Sequence, residues 1–236
     1  SVLAFRAAGH TFSAEEIQAR IGEPQPAAAA KRGAIAVIPL RGIIAHRMDS
    51  MEESSGGMSA ERFTLMVNAA AADEGVDGIL IDVDSQGGTI PGVLEAAQAV
   101  FNAREQKRVV AIANAWMASA AYWIASQAHE VVAIPSALDR SIGSIGVFTV
   151  HQDLSAALEK EGVKVTLIKA GKHKVDANPF EPLSEELLAE IQAAVDVAYD
   201  RFVKDVARGR GVTPTAVKNG FGEGRALNAA DAKAAG

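Results

Sequence analysis

The sequence predicts an α/β fold in which a mainly parallel β-sheet is covered by helices. The main sign is a series of short, almost continuously apolar runs rich in valine and isoleucine, such as GILIDVD and RVVAIANA. Stretches with apolar residues at helical spacing separate these runs. Strands of this kind that alternate with helices are typical of a parallel sheet whose two faces are both buried.

Six strands and four intervening helices are predicted in the central part of the chain. The strands are expected at 34–40, 78–84, 108–115, 130–135, 145–150 and 163–168. The helices are expected near 59–73, 91–106, 119–128 and 152–161. The polar, glycine- and serine-rich stretch 44–58 is predicted to be a mobile loop.

The first part of the chain differs from this alternating pattern. Residues 1–31 are predicted to form a short helix, with Ser13 and Glu16 in capping-box spacing, followed by a linker rich in proline and alanine. The alternating pattern begins at residue 33. One folded domain is therefore predicted over residues 33–236.

The last part of the chain is predicted to be helical. Apolar residues recur at helical spacing over 184–208, and Gly209 and Gly211 are typical of a helix end. Thr213 and Pro214 then have the types preferred at the start of another short helix. A long helix followed by a short one is therefore expected after the last strand.

The composition argues against several classes of function. Aromatic residues make up only 5% of the chain and the net charge is −6, so no surface for nucleic acid is expected. There are no cysteines, which rules out disulfides, thiolate metal sites and a cysteine nucleophile. No apolar run has the length of a membrane span. No metal-ligand spacing is visible, so neither a metal nor a cofactor is predicted.

A pair of glycines follows the second predicted strand, in DSQGGTIPG. Gly87 and Gly88 allow the backbone to turn tightly and to expose its N–H groups, which suits an oxyanion hole. A strand-to-helix turn that merely requires glycine explains the same residues. The next glycine has the wrong spacing for a dinucleotide-binding fingerprint, so a nucleotide site is not indicated.

Ser119 lies where the strand predicted at 108–115 gives way to the helix predicted at 119–128. A serine at such a junction resembles the nucleophile elbow of hydrolases, although the sequence Gly-x-Ser-x-Gly is absent. Capping the start of a helix is the commoner role of a serine at this position. The junction alone leaves both roles open.

Three lysines cluster in IKAGKHKVDANPF, at Lys169, Lys172 and Lys174. A lysine cluster is usually a solvated surface, and a lysine acts as a general base only when a dry pocket or a cationic neighbour keeps it neutral. The five histidines show no pairing with aspartate and no metal-ligand spacing, so a Ser-His-Asp triad is not supported. If Ser119 is a nucleophile, a lysine is the better candidate for its base.

Four segments occur in a fixed order along the chain: DSQGG, ASAAYWIAS, RSIGSIGV and AGKHKVDANPF. Together they resemble motifs of the signal peptide peptidase A-like serine proteases, family S49, and above all its branch of tailed-phage capsid assembly proteases. The resemblance covers residues 33–236. In relatives a leucine and an acidic residue usually follow the glycine that ends this sequence, so the chain is expected to be truncated there.

The resemblance implies a role for individual residues. Ser119 aligns with the nucleophile and Lys174 with the general base. Gly87, Gly88 and the N–H of Ala120 align with the oxyanion hole. The strand that pairs with an extended peptide substrate aligns with Gly143, Ser144, Ile145, Gly146 and Val147.

The sequence departs from the family pattern at two places beside the aligned nucleophile. Gln86 stands where the family has the proline of its glycine turn, and Ala120 and Ala121 replace a pair of glycines. Alanine still offers its N–H, but its φ angle must stay negative to avoid strain. The two methyl groups also narrow the space beside Ser119.

The resemblance also implies a fold and a biological role. The fold is of the ClpP/crotonase type with repeated β-β-α units, and the activity is that of a serine endopeptidase with a Ser/Lys dyad. The expected substrate is a scaffold or procapsid polypeptide, processed inside the procapsid in the host cytoplasm. A homo-oligomeric ring is expected, in which Lys174 can serve the Ser119 of a neighbouring subunit.

Three alternative functions are compatible with the same residues. One is a bacterial membrane-associated protease of the same family. Another is an acyl-CoA enzyme of the crotonase type, although that chemistry generally requires a carboxylate base and a site for the nucleotide part of CoA. The third is a non-catalytic assembly protein that keeps the fold and the ring without the activity.

Overall fold

The computed structural model describes residues 33–49, 51–52 and 55–236, and the helix predicted within 1–31 lies outside them. The strands are β1 (Ala34–Ala45), β2 (Gly57–Ser59), β3 (Val76–Gly88), β4 (Arg108–Ala118), β5 (Glu130–Ala133), β6 (Ile142–Gly143) and β7 (Ala226–Leu227). The helices are α1 (Ala60–Ala72), α2 (Val93–Ala103), α3 (Ala120–Ala125), α4 (Ser155–Lys160), α5 (Glu185–Arg210), α6 (Pro214–Gly220) and α7 (Ala229–Ala235).

One mainly parallel sheet organises these elements. Its strand order is β2-β1-β3-β4-β6-β7, and β5 also pairs with β4. The ladders of the described chain are parallel except the one between β6 and β7. The second edge of β4 is shared, because β5 pairs with 110–113 and β6 with 117–118. The predicted α/β class with a mainly parallel sheet is confirmed.

Helices α1, α2 and α3 cover one face of this sheet. On β1, Ile38, Leu40 and Ile44 point towards these helices and are at most 4% exposed. Side chains alternate along a strand, so Ile35 and Val37 point to the opposite face, where they are 57% and 59% exposed. The described helices therefore cover one face of the sheet. The apolar strands had predicted that helices would cover both faces.

Helix α5 joins this assembly through its last turns. Phe202 stacks on Trp123 of α3 with ring centroids 4.3 Å apart. Asp205 accepts hydrogen bonds from Trp123 Nε1 and Arg201 Nε, each at 2.9 Å. The side chain of Ser184 caps the start of α5, close to the predicted beginning at residue 184.

The structure corrects three of the predicted elements. Residues 145–150 and 163–168, predicted as strands, run outside any β-ladder. Their valines and isoleucines favour extended backbone, but a strand also needs a partner for its N–H and C=O groups, and neither segment meets one in the described chain. Conversely, the predicted loop 44–58 contains β2, which pairs with residues 43–45 of a longer β1.

Two regions of the chain differ in burial. Residues 148–201 form what we call the distal lobe, and none of its residues is buried. Its apolar side chains include Phe148, Val150 and Ile168, which are 85%, 76% and 95% exposed. The other described residues, 33–147 and 202–236, form what we call the core.

Candidate active site

The predicted site residues of the core lie at one edge of the sheet. β3 ends at Gly88 and β4 ends at residue 118, and because parallel strands have their carboxyl ends at the same edge, the glycine pair lies beside Ser119. A Cβ atom added to Gly87 would be 2.7 Å from Cβ of Ser119 and 2.9 Å from N of Ala120. Two neighbouring strands thus bring these residues together.

Ser119 has an uncommon backbone conformation, with φ 52° and ψ −125°. Its N–H donates to Gly143 O at 2.8 Å, and its C=O accepts from Trp123 N at 2.9 Å. The residue therefore occupies a sharp turn between β4 and α3, held on both sides by hydrogen bonds. Positive φ at a residue with a side chain costs roughly 1–3 kcal/mol and is frequent at functional sites. Such a strained strand-to-helix turn is the geometry of a nucleophile elbow.

The hydroxyl of Ser119 does not cap the helix that follows it. The side chains of Ser59 and Ser184 accept hydrogen bonds from backbone N–H groups at the starts of α1 and α5. Ser119 stands in the same position before α3 but makes no such bond. Its hydroxyl has no hydrogen-bond partner among the described residues, and the residue is half-buried. The commoner role of a serine at a helix start is therefore not fulfilled.

The two glycines of the turn differ in what their N–H groups do. The N–H of Gly87, whose φ is +104°, donates to Ser85 Oγ at 3.1 Å. Gly88 pairs with Ile44 in the ladder to β1, and Ile44 O accepts from Thr89 N at 2.9 Å. In a parallel ladder this pattern directs the N–H of Gly88 away from β1, to the side on which β4 lies.

Neither glycine can be replaced by a residue with a side chain without displacing its neighbours. At Gly88 a Cβ atom would be 1.8 Å from Ile44 O, a backbone atom that cannot move aside. At Gly87 the obstacle is Ser119 itself. Close packing of backbone against backbone is thus the reason for both glycines.

Ala120 begins helix α3 next to Ser119. The first N–H groups of a helix have no acceptor within the helix, and the N–H of Ala120 has no backbone acceptor in the described chain. Its side chain is 5% exposed, so the methyl group is accommodated inside the core. The alanine that departs from the family pattern therefore leaves an unbonded N–H beside Ser119.

The predicted substrate-pairing segment begins beside Ser119 and then leaves the sheet. Gly143 pairs with Ala118 in the ladder between β4 and β6. Ser144 has φ 51°, and its N–H donates to Arg225 O at 3.2 Å, next to β7. Ile145 is buried, whereas 146–147 are half-buried and belong to no ladder.

Lys174 lies in the distal lobe and is exposed. Its N–H donates to Gly171 O at 3.3 Å within a series of turns over 171–177. These turns contact the beginning of α5, where Leu187 lines a shallow cavity together with residues that follow Lys174. From Leu187 to Phe202, where α5 reaches the core, the helix rises about 22 Å. No hydrogen bond joins Lys174 to Ser119 within the described residues.

Two other titratable residues of the core are not suited to act as a base at this site. Burial raises the pKa of the Tyr122 hydroxyl, which lies one helical turn after Ser119. Burial, together with Arg104 and Arg108, lowers the pKa of the His129 imidazole. His129 Nδ1 accepts a hydrogen bond from Val109 N at 3.1 Å, near the opposite end of β4. Neither side chain is therefore a suitable base for Ser119.

The structure contains a histidine–aspartate pair that the sequence analysis missed. His173 Nδ1 lies 2.8 Å from Asp176 Oδ2, on either side of Lys174 in the sequence. The turns over 171–177 bring these residues, three positions apart, into contact. The spacing His-x-x-Asp was visible in the sequence, but only a turn, and not an extended strand, makes it a contact.

Two further findings concern the described residues as a whole. Nowhere in ranges 33–49, 51–52 and 55–236 do three histidine or acidic side chains gather in a way that could hold a metal ion. None of the described helices combines the length and the apolar character needed to cross a bilayer.

Comparison with models of known protein families shows to which family this chain belongs. The family model described as peptidase family S49 matches residues 102–236, more than half of the sequence, and this range contains both Ser119 and Lys174. The chain belongs to peptidase family S49. The resemblance noted from its motifs is thereby confirmed.

Several curated proteins are similar to this S49 chain. The capsid assembly protease C of Escherichia phage lambda is 35% identical over 179 residues, which are 76% of this chain and 40% of that protein. The head-tail preconnector protein GP5 of Enterobacteria phage P21 is 36% identical over 183 residues, 78% of this chain and 36% of that protein. A putative signal peptide peptidase SppA of Enterococcus faecium is 33% identical over 188 residues, 78% of this chain and 53% of that protein. The chain thus spans about half the length, or less, of these relatives.

A solved structure supports the fold of this S49 chain. The 1510-N membrane-bound stomatin-specific protease, as its S97A mutant, is similar with a TM-score of 0.50 and 16% sequence identity. The similarity covers 88% of this chain and 78% of that chain. It concerns the fold alone, and it confirms the predicted ClpP/crotonase class.

Proposed function

We propose that this S49 chain is a serine endopeptidase in which Ser119 is the nucleophile and Lys174 the general base. The observation that carries the proposal is the state of Ser119: a strained turn at the carboxyl edge of the sheet, with a hydroxyl that bonds to no other group in the described chain. Strain of this kind is maintained where it serves a function. Family membership supports hydrolysis of a peptide bond as that function.

In the proposed reaction, the Ser119 hydroxyl attacks the carbonyl carbon of the scissile bond while the lysine amine removes its proton. The charge that develops on the carbonyl oxygen is held by the N–H groups of Gly88 and Ala120, which have no other acceptor on the Ser119 side. Gly87 shapes the turn, since its own N–H is bonded to Ser85. One such donor is worth about 2.7–4 kcal/mol of transition-state stabilisation.

The second half of the reaction reverses the proton transfer. The protonated lysine donates its proton to the leaving amine, and an acyl-enzyme remains on Ser119. Water then attacks this ester while the neutral lysine accepts its proton. The bond between the acyl carbon and Ser119 Oγ breaks, and the lysine returns the proton to that oxygen. The nucleophile, the base and two N–H donors suffice for each step, and no metal or cofactor takes part.

Lys174 reaches Ser119, in this proposal, from a neighbouring subunit of a homo-oligomeric ring. Within one chain no hydrogen bond joins the two residues, and the distal lobe exposes Phe148, Val150 and Ile168. Burying these side chains against a second copy would be favourable by roughly 1.5–3 kcal/mol each. The same contact would remove the lysine from water, which favours the uncharged amine that a base requires.

The proposed substrate is an extended polypeptide that adds a strand beside Gly143–Val147. Residues 146–147 belong to no ladder, so their backbone groups are available to a peptide. By analogy with the phage lambda and P21 relatives, we propose a scaffold or procapsid protein, processed inside the procapsid in the host cytoplasm.

Mixing two inactive variants tests the dyad and its location together. Ser119→Ala and Lys174→Ala should each lower cleavage of a fluorogenic casein by at least about 10⁴-fold, with unchanged circular dichroism. Combining them by unfolding and refolding should restore about a quarter of the sites, because half of the serines are intact and half of these meet an intact lysine.

Two results would contradict this proposal in different ways. If the mixture stays inactive although both variants assemble, Lys174 does not serve a neighbour's Ser119. If the unmodified protein neither cleaves casein nor reacts with a fluorophosphonate probe, the non-catalytic assembly role is correct instead. The Ser119→Ala variant is the control for specific labelling.

A further inference from the structure

We propose that His173 is a positioning residue that keeps the carboxylate of Asp176 away from the amine of Lys174. This inference rests on the proposed role of Lys174 as the general base. A carboxylate that pairs with an ammonium group favours its charged form, and a charged lysine cannot accept a proton. The nearest carboxylate in the sequence belongs to Asp176, two positions away.

The observed contacts show how this carboxylate is engaged. Asp176 Oδ2 lies 2.8 Å from His173 Nδ1, while Lys174 has no carboxylate within 4.0 Å in the part of the chain that the structure describes. The Asp176 side chain is 32% exposed, and its side-chain hydrogen bond in the described chain is to His173. We therefore expect the Asp176 carboxylate to turn towards Lys174 when the His173 imidazole is removed.

The backbone of these turns is held by contacts that do not involve the His173 side chain. Asn178 Nδ2 donates to Val175 O at 2.9 Å, and Asn178 O lies 2.9 Å from His151 Nε2. Leu154 N donates to Pro179 O at 2.8 Å. Removal of the His173 imidazole should therefore leave the turns in place, and its effect should be electrostatic.

Other charged groups near these turns stay the same in the variants at 173 and 176. Lys169 and Glu181 line the shallow cavity to which Asp176 also contributes, and Lys172 precedes His173. His151 contacts the turns through Asn178. Because these groups are unchanged, a difference between variants at 173 and 176 reports the interaction among the three residues alone.

The test is a cycle of His173→Ala, Asp176→Asn and the double variant in the oligomeric protein. His173→Ala should lower kcat about tenfold at neutral pH and displace the rise of activity by about one unit towards higher pH. Asp176→Asn, which removes the competing charge, should stay within about threefold of the unmodified enzyme. The double variant should recover to a similar level, with the original pH profile.

His151→Ala serves as the matched control for a structural effect. It removes an anchor of the same turns, so kcat should fall without a displacement of the pH profile and without rescue by Asp176→Asn. If the His173→Ala enzyme is not rescued by Asp176→Asn, or if Asp176→Asn alone is as impaired as His173→Ala, the proposal is overturned. Failure of the dyad itself would instead appear as full activity of Lys174→Ala.

Discussion

The core and the distal lobe use similar side chains with opposite results. In the core, the valines, isoleucines and aromatic residues that face the helices are buried, as Phe202 is against Trp123. In the distal lobe, Phe148 and Ile168 are 85% and 95% exposed. Apolar composition therefore does not by itself produce burial. A surface must be available to pack against, and one chain supplies it for the core only.

The same difference explains which strands form. The run at 78–84 became part of β3 because β1 and β4 lie on either side of it. The runs at 145–150 and 163–168 have comparable β-propensity but pair with no strand in the part of the chain that the structure describes. A second subunit would offer both the missing edges and the missing apolar cover. In the core, one chain provides both the strand partners and the apolar surfaces that its side chains need. In the distal lobe, the described chain provides neither.

The largest expected effect is at the junction of the two regions. Phe202→Ala should lower the free energy of unfolding by about 3–5 kcal/mol, because it removes a fully buried ring stacked on Trp123. Val197→Ala, on the same helix but 72% exposed, should change it by less than about 0.5 kcal/mol. Urea unfolding of both variants measures the contrast, and equal losses would contradict the division.

A smaller effect is expected for the buried carboxylate of the same junction. Asp205→Asn should lower the free energy of unfolding by about 1–3 kcal/mol, since Trp123 Nε1 and Arg201 Nε then meet a neutral amide. Asp200→Asn disrupts an exposed pair with Lys218 and should have little effect. Thermal unfolding compares the two. An unchanged midpoint for Asp205→Asn would show that its contacts do not stabilise the junction.

A pH-dependent difference is expected from His129. Its pKa is lowered in the folded state by burial and by two arginines, so above about pH 6.5 both states are neutral and stability is complete. As the pH falls below that value, the unfolded state binds the proton first, and stability is lost until the folded imidazole is protonated. His129→Asn keeps an acceptor for Val109 N and should lose less stability between pH 7.5 and 5.5 in urea titrations. Parallel losses would contradict the prediction.

The smallest effect on the free energy of unfolding is expected in the distal lobe. Ile168→Ser should change it by less than about 0.5 kcal/mol per chain, since the side chain is 95% exposed. It should nevertheless weaken association between subunits, measured by sedimentation at several concentrations. Thr166→Ser, two positions away and also exposed, is the control. If Ile168→Ser leaves association unchanged, this part of the distal lobe is not an interface.

The sequence was most informative where local and long-range preferences agree. The strand before Ser119 and the helix after it were predictable, because both are buried runs that need only their own chain. Their junction therefore emerged at the right residue. The different roles of the two glycines could not be predicted from the sequence. They depend on the register of β3 against β1, in which the N–H of Gly87 bonds to Ser85 and that of Gly88 faces β4.

Predictions failed where a contact depends on a turn or on a partner. β2 has only three residues, too few for a periodic signal, and its pairing with β1 arises from the path of the chain. The contact between His173 and Asp176 forms only because of the turns over 171–177, and no hydrophobic pattern in the sequence predicts those turns. The four sequence motifs carry no information on the distance between Lys174 and Ser119, so the proposed dyad stays a prediction.

Helix α5 is packed firmly against the core only at its C-terminal end, so a small change in its tilt moves its N-terminal end by a large distance. Its last turns are fixed to α3, the helix that begins at the nucleophile, while its free end holds the turns that bear Lys174. A tilt of about 5° at the fixed end would move the tip by about 2 Å over a 22 Å lever. A misplacement of about 1 Å can cost a hundredfold in rate. If Lys174 is the general base, as proposed, looser packing around Trp123 would lower activity well before it unfolds the protein.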